Sequence, residues 1–280
     1  MANDERNNPR ARFKELVSLD DEQINLAEGA LLIAAEEYPR LDIGLYVEKL
    51  DRIEDLVRER AVPAHNSLDV LSAINTTLFD DLGFRGNAQS YYDPRNSFLN
   101  EVIDRRVGIP ITLAVVYMEV ARRVGLHVEG VGFPGHFLAK LATESGEVFI
   151  DAFNRGRLFG AAGCADLLAE MTGGRLQLKP EHTEAVTKKQ LLARMLANLL
   201  GIYAASDHAR ALAAIERVLL ITPDSPPHVR DRGLLLATLG RATGAIAELE
   251  RYLLLAPDTP DADSIREQIK TIRQSQAKLN

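Results

Sequence analysis

The 280-residue chain is poor in cysteine: Cys164 stands alone, so no disulfide can close within it, and no Cys-x-x-Cys pair or cysteine–histidine cluster is present for structural zinc. A reducing, cytoplasmic setting is expected. Basic charge is short as well, since 33 Lys and Arg against 40 Asp and Glu leave a formal net charge of −7 and no overall positive field for a phosphate backbone. Nucleic acid is not an expected partner. The longest apolar run, Val107 to Met118, falls short of the roughly 20 residues that a spanning helix takes. The first ten residues are polar and of mixed charge, unlike a secretory signal. Neither a membrane nor export is expected. What the chain has is a 46% share of hydrophobic residues, enough to build a core in one large domain or two ordinary ones.

From Phe13 to about Leu82 the pattern is helical, with turn residues dividing it into about four helices. Tyr46, Leu50, Ile53 and Val57 are spaced four, three and four apart, forming one apolar stripe with Glu48, Asp51, Asp55 and Arg58 largely off it. Phe84 to Tyr92 has no clear period. Asp93-Pro94-Arg95-Asn96-Ser97 reads as a turn that starts a helix. Ile109 to Ala121 is apolar nearly all round, with Pro110 where the first helical turn tolerates a missing N–H, so a buried helix is expected. After Gly125 come shorter β-like stretches, Val128 to Phe133, Phe137 to Ala142 and Val148 to Ile150, which predict a small antiparallel sheet. The fold class is therefore α+β, mainly helical.

The last third repeats itself. Residues 192–225 and 226–259 share nine identities at an offset of 34, among them Ala211/Ala245, Glu216/Glu250, Leu219/Leu253 and Pro223/Pro257. Thirty-four residues is the tetratricopeptide period, and the small and apolar positions match those of two-helix units that pack closely. Two such units seldom stand alone, so a closing helix at about 262–275 is expected to complete them. The expected division is residues 1–180 for the α+β part with its N-terminal helices and 185–280 for the repeat module, joined by a polar stretch from Lys179 to Lys189.

The stretch with most chemistry is Gly-Phe-Pro-Gly-His136-Phe-Leu-Ala-Lys, followed by Phe-Ile-Asp151-Ala-Phe-Asn154. A turn at Ser145-Gly146 suits two adjacent strands that bring His136 and Asp151 together. A helix ending in Ala-Arg-Arg-Val-Gly-Leu, then a strand with His136, then one ending in Asp151, resembles the core of the transglutaminase-like superfamily. In its active members a thiol at the start of a buried helix attacks an amide carbonyl, with a strand histidine and an acidic residue completing the triad. A helix N-terminus lowers a thiol's pKa, and an imidazole held by a carboxylate takes its proton. On this resemblance the nucleophile's position falls on Pro110, which has no ionisable atom. Cys164 follows Asp151 instead of preceding His136, and Thr112 points about 200° away from Pro110 along the helix. More narrowly, Tyr91 to Leu113, the Val-Glu-Gly-Val-Gly-Phe-Pro-Gly-His-Phe-Leu run and the repeats resemble bacterial SirB-type proteins.

The resemblance implies a degenerate cleft in which His136 and Asp151 are a triad remnant, with Asn154, Arg105 and Arg106 as candidate ligand contacts. His136 is either a hydrogen-bonded strand tie or a working base. Arg155 and Arg157 are candidates to line the same cleft, whereas His127 reads as a surface residue. The spacing of His127, His136 and Asp151 fits no metal site, and Gly130, Gly132 and Gly135 lead into no helix that would make a dinucleotide loop. No metal or cofactor is expected. The expected role is non-catalytic binding or scaffolding through the cleft and a tetratricopeptide groove, with a protein or peptide partner and self-association open. The alternative is an amide hydrolase or acyl transferase that uses His136 and Asp151 without a cysteine.

Overall fold

The computed structural model describes residues 8–279. Helices α1 (Pro9–Ser18), α2 (Leu26–Ala35), α3 (Ile43–Arg60) and α4 (Ser67–Asn75) open the chain. Asn8, Asn25, Asp42 and Asn66 cap them, each side chain accepting a backbone N–H of the first turn. The α3 stripe behaves as its spacing predicts, since Leu50, Ile53 and Val57 are buried. After α4 one π-helical stretch, Thr76–Asp81, carries the chain into a short loop.

The stretch without periodicity holds β1 (Arg85–Gly86), paired in parallel with β2 (Val107–Gly108). Between them lies α5 (Leu99–Arg105), and β2 leads directly into α6 (Pro110–Arg123). Helix α6 is buried along nearly its whole length, with Glu119 kept inside by Arg123 Nη1 at 2.5 Å and Arg122 Nη2 at 3.1 Å. It packs against α3 and against strands β3 (Val128–Val131) and β4 (Leu138–Thr143).

The sheet is antiparallel throughout, in the order β6-β5-β4-β3-β7, with β5 at Gly146–Asp151, β6 at Arg157–Phe159 and β7 at Ala185–Val186. The sequence indicates only the three central strands. Strand β7 sits inside the stretch read as a polar joint and is only two residues long, too short to carry a period. Helix α7 (Ala161–Thr172) packs on β5 and β6, and its Cys164, Leu167 and Leu168 join Val131, Phe133, Leu138 and Phe149 in one apolar cluster.

The chain divides into two compact units, Met1–Met195 and Leu196–Asn280. Beyond α8 (Lys188–Tyr203), the second unit holds α9 (His208–Ile221), α10 (Pro226–Thr238), α11 (Ala242–Leu255) and α12 (Ala262–Leu279). Helices α9 and α11 begin and end 34 residues apart, reproducing the repeat offset. Ala211 and Ala245, both fully buried, keep the helices close. Leu249, Tyr252, Ile265 and Ile269 form the cluster on which α12 closes the array.

Candidate functional site

The site is built from the ends of strands. His136 lies in the loop before β4 and Asp151 ends β5, and the β4–β5 ladder brings them together with His136 Nε2 2.9 Å from Asp151 Oδ1. Both are buried. Asp151 Oδ1 also accepts the backbone N–H of Phe153 at 3.1 Å and of Asn154 at 3.2 Å, while Oδ2 accepts Asn154 Nδ2 at 2.7 Å. Burial alone pushes the Asp151 carboxyl up. The hydrogen bond and charge of His136, followed by the Asn154 bonds, outweigh that and hold the carboxyl below its ordinary value. Asp151, Asn154 and His136 thus form one hydrogen-bonded unit.

Phe153 joins this unit to the start of α6. Its ring stands edge-on to the His136 imidazole, with centroids 6.0 Å apart, and meets Tyr91 at 6.2 Å. Gly86 leaves room for it: a Cβ there would fall 2.6 Å from the ring. Gly86 pairs with Gly108, one residue before the N-cap of α6. Gly156 turns the chain back after the site at φ +69°, where a Cβ would lie 2.2 Å from Asn75 Oδ1.

The helix start itself offers no reactive group. Pro110 is the first residue of α6 and is buried. Thr112 is spent on structure: its hydroxyl accepts the Ile109 N–H at 3.2 Å and donates to the Asn96 carbonyl at 2.7 Å. Cys164 is fully buried among apolar side chains on α7. Burial, helped by the charge of Glu147, pushes its thiol up to about 11, so only about one part in 10⁴ is thiolate at pH 7.

The arginines named from sequence go elsewhere. Arg105 Nη2 lies 3.5 Å from Asn96 Oδ1 and 3.8 Å from Asp93, and Arg106 Nη1 donates to the Leu82 carbonyl at 2.8 Å. Arg155 pairs with Asp80 at 2.5 Å, and Arg157 lies over the Phe159 ring. The structure brings neither Arg105 nor Arg106 into hydrogen bonding with the dyad. His127 is 90% exposed at its side chain.

Sequence reasoning missed Arg194. From α8, inside the stretch assigned to the first repeat, its guanidinium donates to the carbonyls of Phe133 at 3.1 Å and His136 at 2.6 Å and lies over the Phe137 ring. Burial lowers its pKa, and the two carbonyls supply the hydrogen bonds that a carboxylate would otherwise provide. It fixes the loop from which His136 projects. A lone arginine in a helical period gives no sign of this, because its partners are backbone atoms 58 and 61 residues away.

Among the described residues no helix is long and apolar enough to cross a membrane. A model of the transglutaminase-like superfamily matches residues 45–197, and a tetratricopeptide repeat model matches residues 199–270. A UPF0162 protein of Xylella fastidiosa is 39% identical over 238 residues, covering 84% of this chain and 85% of its own. One from Vibrio cholerae is 27% identical over 223 residues, covering 79% and 82%. F-box only protein 21 of Mus musculus is 35% identical over 141 residues, 48% of this chain and 22% of its own length.

Proposed function

Because the chain belongs to the transglutaminase-like superfamily and to the UPF0162 family, and carries tetratricopeptide repeats, we propose that it is a non-catalytic binding or scaffolding protein of the cytoplasm. The observation that carries this reading is Pro110 at the first position of α6, where the superfamily resemblance expects a nucleophile. The chain is then SirB-type, with Pro110 in place of the cysteine. His136 and Asp151 act as a tie between β4 and the loop after β5, and Asn154 completes it. Such a cleft grips by shape and hydrogen bonds. General-base help from His136 alone would be worth only about 10²- to 10⁴-fold in rate. In the repeat unit a groove of about 440 Å³ between α10 and α12, lined by Leu234, Ala237, Ile272 and Glu267, offers an apolar floor with one acidic edge for a peptide. Arg105 and Arg106 are left to support the fold around Asn96 and Leu82.

The test compares the intact chain with His136→Ala, both checked for folding by circular dichroism, in amide-hydrolysis and transamidation assays on a peptide library. The expected outcome is no turnover above buffer for either. Turnover by the intact chain that His136→Ala abolishes would overturn the reading in favour of the hydrolase or transferase.

A further inference from the structure

A second cavity lies away from the dyad, and none of its lining residues belongs to it. It is about 590 Å³ in volume, bounded by the α2–α3 loop, the start of α3 and one side of α5. Four carboxylates line it, Glu37, Asp42, Glu101 and Asp104, together with the rings of Tyr38 and Tyr46. Arg40 is the single basic side chain among its lining residues, and it is exposed.

An acidic patch alone is commonplace; Asn100 makes this one different. Its side chain lines the same cavity and is 5% exposed, yet its Oδ1 is buried without a hydrogen bond. Buried side-chain amides are nearly always paired, so an unmet acceptor facing a cavity marks a place where a ligand would supply the donor. The neighbouring Glu101 carboxylate forms no ion pair among the described residues. Asp104, by contrast, is occupied: it accepts the Tyr46 hydroxyl at 2.6 Å and pairs with Lys49 Nζ. That bond fixes the Tyr46 ring as a wall, with the Lys49 ammonium 4.3 Å from its centre.

The missing partner must therefore be a cation able to donate to an amide oxygen and a carboxylate at once. A guanidinium does this with N–H groups in a fixed planar fork, and it is more weakly hydrated than an ammonium, so it enters a half-apolar cavity at lower cost. We propose that this cavity binds the guanidinium of an arginine side chain presented by a partner protein. Asn100 Oδ1 and Glu101 are its acceptors, and Tyr38, Tyr46 and Leu45 flank its methylene stem. The acidic balance of the chain, −7 overall, favours such a partner.

The probe is N-acetyl-argininamide, whose backbone is uncharged, titrated into the intact chain and followed by amide chemical shifts. Expected is saturable binding with shifts centred on residues 37–46 and 100–104, weakened about tenfold or more by Asn100→Leu and by Glu101→Gln. Glu101 is only partly buried, so Glu101→Gln reports even if Asn100→Leu fails to fold. N-acetyl-lysinamide and spermidine are run beside it. If either binds as tightly as the arginine probe, the patch is a general cation trap and the proposal fails. It fails equally if no saturation is seen, or if Glu101→Gln leaves the affinity unchanged.

Discussion

The two units of the chain are held in different ways. In Met1–Met195 the core contains Asn96, Thr112, Glu119, His136, Lys140 and Asp151, all buried polar groups that need named partners. In Leu196–Asn280 the buried residues are almost all apolar, repeated at a fixed interval, with Arg217 the polar exception among the described residues. The first is specified by hydrogen bonds at loops, the second by spacing. A substitution should therefore act through lost volume in one unit and through unmatched polarity in the other.

The largest effect is expected in the repeats. Leu249 is fully buried between α10 and α12, so Leu249→Ala should cost about 3 kcal/mol, read by chemical denaturation. Hydrogen exchange should rise first in residues 196–279. A rise spread evenly over the chain would break the comparison.

Asp151→Asn tests the polar unit. It preserves volume but removes a charge that accepts four hydrogen bonds, and about 2 kcal/mol should be lost at pH 7. The sign of its pH dependence follows from the depressed carboxyl. A folded-state pKa below the unfolded one stabilises the fold fully above about pH 4 and fades as pH falls through the folded value. The gap between the intact chain and Asp151→Asn should thus close in acid. A gap independent of pH would make Asp151 a matter of shape alone.

The legibility of each unit follows the same division. The 34-residue offset places α9 and α11, because each repeat position meets the same neighbours in every unit. The α3 stripe and the buried α6 are legible for a similar reason: one face or the whole surface of a helix is apolar. Asp151 and His136 can be paired on paper because two strands and a turn separate them. Phe153, Gly86 and Arg194 cannot, since what joins them is a ring against a glycine and a guanidinium on distant carbonyls. Strands β1, β6 and β7 are two or three residues long and are defined by their neighbours' ladders, which no local pattern records.

The smallest effect sharpens the role of Cys164. Cys164→Ala should cost about 1 kcal/mol at pH 7, as a small cavity in the α7 cluster. The thiol's folded pKa is raised to about 11 from 9.0, so its stabilisation is present below pH 9 and is lost as pH rises towards 11. The deficit of Cys164→Ala should shrink over that interval in denaturation curves taken at several pH values. A deficit that grows in alkali would mean that the thiol ionises in place.

The Arg194 clamp bears on how the molecule is to be dissected. A fragment ending at residue 180 would keep every residue of the His136–Asp151–Asn154 unit and still lose the guanidinium that anchors the imidazole's loop, along with the edge strand β7. Such a fragment would report on a loosened imidazole, and negative assays on it would say little about the intact chain. Whoever trims this protein should cut after residue 195.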